Sequence, residues 1–193
     1  MLEHLRALLR LTLAEPRRAA AILAANTPAL HRSGEFAVIV VALGVILSWI
    51  LAQLLPDPDL PLVQVLLANP LLLAIVQMML LVLTAIAVFA VGQFFGGRGE
   101  FEQAFAITVW LQFFMLVLQV ALLPVALIAM PLANLLNSLT YFLFFWLFVN
   151  FVAELHGFVS LWRVFAGTLA AGFAISFVFL FLLAILGVGA MEV

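Results

Sequence analysis

Residues Phe36–Leu55 read FAVIVVALGVILSWILAQLL. Only Ser48 and Gln53 interrupt the apolar character of this run. At about 1.5 Å of rise per residue, a helix of this length covers roughly 30 Å, the thickness of one hydrocarbon core. The run is continuous rather than alternating, whereas a transmembrane β-strand needs alternation. It therefore predicts a membrane-crossing helix. Pro56-Asp57-Pro58-Asp59 and Pro61 follow and stop it.

The same reading extends to the rest of the chain. A second span is expected over about 71–95, opened by Pro70 and closed by Gly96-Gly97-Arg98-Gly99. A third is expected over 101–128, with Glu100 and Glu102 where negative charge suits the helix dipole and with Pro124 kinking its far end. Pro131 begins a fourth, over 131–153, which Glu154-Leu155-His156-Gly157 breaks. Ser160 is placed to cap a fifth over 161–188, frayed by Gly187 and Gly189. The expected fold is all-α: a polytopic membrane protein with a five-helix transmembrane domain at 36–193, preceded by a cytosolic amphipathic, interfacial segment at 1–35.

Composition points the same way. The chain has 193 residues, of which 68% are hydrophobic and 8% charged. Soluble domains carry roughly 25% charged residues, so this chain lacks the groups to coat a water-facing globule. Its mean hydropathy is +1.37. Cysteine is absent, which removes disulfides, thiolate catalysis and cysteine metal sites. The net charge of −2 gives no bulk attraction to nucleic acid. The first 35 residues lack a long apolar stretch, so no cleavable signal peptide is expected.

Arginine sets the expected orientation. With five spans, the N-terminal segment and the 96–100 and 154–163 loops share one side. They contain Arg6, Arg10, Arg17, Arg18, Arg32, Arg98 and Arg163, which is every basic residue apart from histidine. The opposite side holds Asp57, Asp59 and Glu192. Positive charge stays inside. The N-terminus is then cytosolic and the C-terminus periplasmic, in a bacterial inner membrane. Leu2, Leu5, Leu9 and Leu13 fall on one helical face, with Glu3, Arg6 and Arg10 on the other. Such a helix can lie among headgroups, with Arg6, Arg10, Arg17 and Arg18 at lipid phosphates, or pack on the bundle. Pro16 restarts the chain, and Ala19–Ala25 fits a second short helix.

Three stretches resemble a known family. They are Leu13-Ala14-Glu15-Pro16-Arg17-Arg18, then Phe95-Gly96-Gly97-Arg98-Gly99-Glu100-Phe101 with Ala104-Phe105, and Leu155-His156-Gly157-Phe158 followed by Trp162-Arg163. Together they are similar to bacterial Yip-domain proteins of the Ypt/Rab-interacting-protein family, over nearly the whole chain. The resemblance implies a five-span fold and a non-enzymatic, membrane-organising role. The family often has a proline within the third span, where this chain has Val109-Trp110-Leu111-Gln112.

Residues able to carry chemistry are few. Glu154 and His156, with Asn150 one turn earlier, could hold a cation or relay a proton; alternatively, Glu154 pairs with Arg163 or Arg98. A metal needs three or four ligands, and only the Glu154–His156 pair is in view. Arg98, Glu100, Glu102, Glu154, His156 and Arg163 could form a cytosolic charged patch. Within the spans, Gln77 and Thr84, then Gln112 and Gln119, then Asn134, Asn137 and Tyr141 share helix faces. They could be interhelical packing contacts or the lining of a polar cavity. No Asp, Glu, Lys or Arg lies at mid-depth, which argues against proton-coupled transport. Gly92-x-x-x-Gly96, with Gly97, Gly167 and Gly172, has small-residue spacing for close helix approach. Phe142, Phe144, Phe145, Phe177, Phe179 and Phe181 read as lipid-facing or packing residues. No catalytic motif and no cofactor site is present. Two functions remain. One is a membrane-organising adaptor or scaffold contacting lipids, a protein partner or a second copy. The other is a small transporter or channel whose path Gln and Asn would line.

Overall fold

The computed structural model describes residues 2–54 and 61–185. Among these residues, eight helices follow in order: α1 (Leu2–Ala14), α2 (Pro16–Ala25), α3 (Leu30–Leu54), α4 (Pro61–Ala68), α5 (Pro70–Phe94), α6 (Phe101–Ile128), α7 (Met130–His156) and α8 (Leu161–Ile185). Five of them, α3, α5, α6, α7 and α8, are long and apolar enough to cross a membrane. The fold is thus all-helical and multi-pass, with short helices ahead of the first span.

Helix ends differ from the hydropathy limits for local reasons. The first span starts at Leu30 rather than Phe36. His31, Arg32, Ser33 and Glu35 are polar, but with Gly34 among them they hold no proline to unwind the helix, and Ser33 is buried within the fold. Hydropathy locates the lipid, whereas a helix can continue into water. The stretch between the first two expected spans contains α4, begun by Pro61. Pro56-Asp57-Pro58-Asp59, Gly187, Gly189 and Glu192 lie outside the described residues, as does the expected end of the last span at 188. Asn69 caps α5 by accepting from the Leu72 N–H at 3.1 Å, with Pro70 next to it.

The two turns at the arginine-bearing end are built alike. Gly96 (φ +80°) and Gly157 (φ +71°) take the left-handed conformation. At the first, Gly97 N–H donates to Gly92 O at 2.8 Å; at the second, Phe158 N–H donates to Ala153 O at 2.8 Å. Both are the helix-closing bond of a Schellman turn. Glu100 then caps α6 in a reciprocal box with Gln103, whose Oε1 accepts from Glu100 N–H at 3.0 Å.

Burial is concentrated at this same end. On α6 the buried residues run from Ala104 to Leu116. On α7 they cluster between Leu147 and His156, with Ala133 and Thr140 the exceptions. Toward the opposite end, Ile128, Leu135 and Phe142 are well exposed. Lipid tails are as apolar as leucine, so no hydrophobic force draws those faces together. A second buried cluster joins α3, α5 and α6 through Ala37, Val40, Val41, Leu81, Ala85, Phe105 and Val109.

The N-terminal pair α1–α2 packs on α6 and α7. Its inward face is Leu5, Leu8, Leu9 and Thr12, spaced i, i+3, i+4, i+7. The expected face through Leu9 and Leu13 is rotated from this one, because Leu13 is 44% exposed and Thr12 is fully buried. The reason is a polar contact. Trp110 Nε1–H donates to Thr12 Oγ1 at 3.1 Å, and the threonine hydroxyl donates to Leu8 O at 2.9 Å. Trp110 is buried too, and a buried indole N–H requires a partner.

Thr12→Val keeps the shape but leaves that indole N–H unpaired, at a cost of about 1–3 kcal/mol. Thermal unfolding of the detergent-solubilised protein should show a clear loss for Thr12→Val and little for Thr12→Ser. Equal stability of all three would contradict this packing.

Candidate functional site

The arginine-bearing end converges on one side chain. His156 is the last residue of α7 and is 2% exposed. Its Nε2 lies 3.0 Å from Val88 O on α5, and its Nδ1 accepts the Gly99 N–H at 3.2 Å. A carbonyl only accepts and an amide N–H only donates, so these partners select the neutral imidazole protonated on Nε2. Phe158 stacks on the ring at 5.5 Å between centroids. The backbone of His156 joins in, with its carbonyl accepting from Arg98 N–H at 3.4 Å.

Glycine makes room for this ring. A Cβ on Gly92 would overlap the imidazole, and one on Gly97 would press into it well inside contact distance. The Gly92-x-x-x-Gly96 spacing thus seats an imidazole, while Gly96 serves the turn. At Gly167 an added Cβ would meet only ordinary contacts, and at Gly172 it would meet nothing within 4 Å. Neither glycine of α8 is required for close helix approach.

The charged residues of this end are neighbours without being paired. Among the described residues the ion pair is Arg18–Glu15, exposed and 3.3 Å long. Such a surface pair contributes about 0–1 kcal/mol. Glu154 is half-buried and forms no ion pair with Arg98 or Arg163, in contrast to the expected pairing. Arg98, Glu100, Glu102 and Arg163 are exposed. Arg17 reaches across to donate to Phe158 O at 3.4 Å. Arg6 and Arg10 are exposed, with no ion-pair or hydrogen-bond partner among the described residues. Both ring nitrogens of His156 are engaged, so the Glu154–His156 pair offers no free imidazole ligand. No group of three His, Asp or Glu able to hold a metal exists among the described residues.

The amide-bearing residues do not form one chamber. Gln112, Gln119, Asn134, Asn137 and Tyr141 are exposed on α6 and α7. Asn150 is buried and donates to Trp146 O at 2.8 Å. Gln77 sits between α5 and α3, its Oε1 buried without a hydrogen-bond partner and facing Gly44. None of these residues lines the cavity of about 880 Å³ between α5, α7 and α8. Sequence reading missed Thr12 and Trp110, and it missed the seat around His156. The density of glycine in Gly92–Gly99 was the available signal for the latter.

Compared with known families, residues 11–185 match the Yip1 domain. No curated protein and no solved structure matches the chain.

The seat predicts strong coupling between two substitutions. Gly92→Ala should expel the ring, destabilising the protein by about 3 kcal/mol or more through overpacking and two lost hydrogen bonds. In the His156→Ala background the same change should cost almost nothing further. Additive losses in a double-mutant unfolding cycle would refute the seat.

Proposed function

The chain belongs to the Yip1 domain family, and from that premise we propose that it is a non-enzymatic membrane-organising scaffold. It acts from the arginine-bearing end, which faces the cytosol in a bacterial inner membrane. The observation that carries this reading is the docked α1–α2 pair. The Thr12–Trp110 bond and the leucine face hold it against the bundle, and Arg6 and Arg10 remain exposed and unpaired. A rigid mount for free guanidinium groups suits anionic lipid surfaces or an acidic protein partner. The positive-inside distribution supports the orientation.

The arrangement of the amides favours this reading over transport. A solute path through the bundle needs Gln112, Gln119, Asn134 and Asn137 turned toward a common space, and these residues are exposed on the outside.

One experiment tests both surface and orientation. Inverted membrane vesicles carrying the protein should capture phosphatidylglycerol liposomes more strongly than right-side-out vesicles do. Arg6→Gln with Arg10→Gln should weaken capture by about thirtyfold, at roughly 1 kcal/mol per arginine. Equal capture by both vesicle types, or no effect of the substitutions, would overturn the proposal.

A further inference from the structure

α8 stands apart from the rest of the bundle. Among the described residues it packs mainly along α5 and α7, and residues such as Phe177 (72% exposed) face outward. Between the three helices lies the cavity of about 880 Å³. That size falls within the roughly 300–1,000 Å³ of ligand pockets. Its walls are mostly apolar, with Phe145 and Phe148 among them.

The one charged lining residue, Arg163, lies with Ser160 at the α8 N-terminal end of the cavity. Thr168 and Ser176 follow along α8, and Thr84 lines the α5 wall with its hydroxyl donating to Leu80 O. From Arg163 to Ser176 the helix rises about 20 Å. One leaflet offers about 15 Å of hydrocarbon plus its headgroup layer. Trp162, 73% exposed beside Arg163, occupies the level where interfacial tryptophans sit. Arg163 is exposed, and its guanidinium has no ion-pair or hydrogen-bond partner among the described residues.

We propose that this cavity binds one anionic glycerophospholipid, with its phosphate at Arg163 and its acyl chains between α5, α7 and α8. The length fits a single leaflet, the walls fit hydrocarbon, and the lone guanidinium fits a negative headgroup. A helix from a second copy, about 10 Å across with its side chains, is too thick to sink into this volume over that length. The site goes beyond the scaffold reading and does not depend on it. α1 can recruit a surface with the cavity empty, and the cavity can hold lipid with no partner present.

The test is native mass spectrometry of the full chain, released from nanodiscs of equal parts dioleoyl phosphatidylglycerol and dioleoyl phosphatidylcholine. The wild type should retain one lipid per chain, with phosphatidylglycerol favoured. Arg163→Gln should lower that preference about fivefold, the attraction of one arginine for an anionic lipid. Gly172→Phe, added where a Cβ meets open space, should fill the cavity and reduce retention of both lipids. Unfolding temperatures near wild type would show that both variants are folded. If a variant proves unstable, lipid competition in the wild type still decides. No retained lipid, equal retention of the two lipids, retention unchanged by Gly172→Phe, or a dimer in place of a lipid adduct would each overturn the proposal.

Discussion

His156 Nε2 donates to a carbonyl of α5 while Nδ1 accepts from the loop that leads into α6, and the residue itself is the last of α7. One imidazole thereby satisfies backbone groups from two segments at the place where three helix ends meet. Val88 O also serves the α5 ladder, whereas the buried Gly99 N–H depends on the ring, and such a group left unpaired costs about 1–3 kcal/mol, so the ring's position constrains the loop into α6. Gly92 and Gly97 give it space, and the left-handed turns at Gly96 and Gly157 bring the two chain reversals together beside it. The Glu100–Gln103 box then starts α6 from the same loop.

From this junction outward, the packing is that of a membrane protein with one consolidated end. Buried side chains gather near the arginine-bearing loops, and α1–α2 closes over them through Thr12 and Trp110. At the other end, apolar side chains are left to lipid, which solvates them without penalty. α8 has few partners among the described residues. The amphiphile proposed beside Arg163 and the surface proposed beside Arg6 and Arg10 would answer the same electrostatic condition: guanidinium groups with no ion pair among the described residues.

The five spans were legible because lipid thickness imposes a minimum length of apolar sequence, and 36–55, 71–95, 101–128, 131–153 and 161–188 each meet it. The family was legible in the glycine-rich turns and the Leu155-His156-Gly157-Phe158 stretch. Two helical stretches were less readable: α3 from Leu30, because hydropathy carries no information about the polar start of a helix, and α4 from Pro61, because eight residues are too short to register as a span. The role of Thr12 was hidden for a different reason. A threonine among leucines marks the inward face only when its partner, Trp110, is known to lie across from it. The amides were misleading as a set. Periodicity places Gln112 with Gln119 on one face, but it cannot say whether that face turns toward the bundle or away from it.

The imidazole can be examined directly by nitrogen-15 NMR of the protein in nanodiscs, with histidine and glycine labelled. The account predicts a single neutral His156 tautomer, protonated on Nε2, with Nδ1 coupled through its hydrogen bond to the Gly99 amide. An imidazolium, or a ring exchanging between tautomers in contact with water, would contradict it.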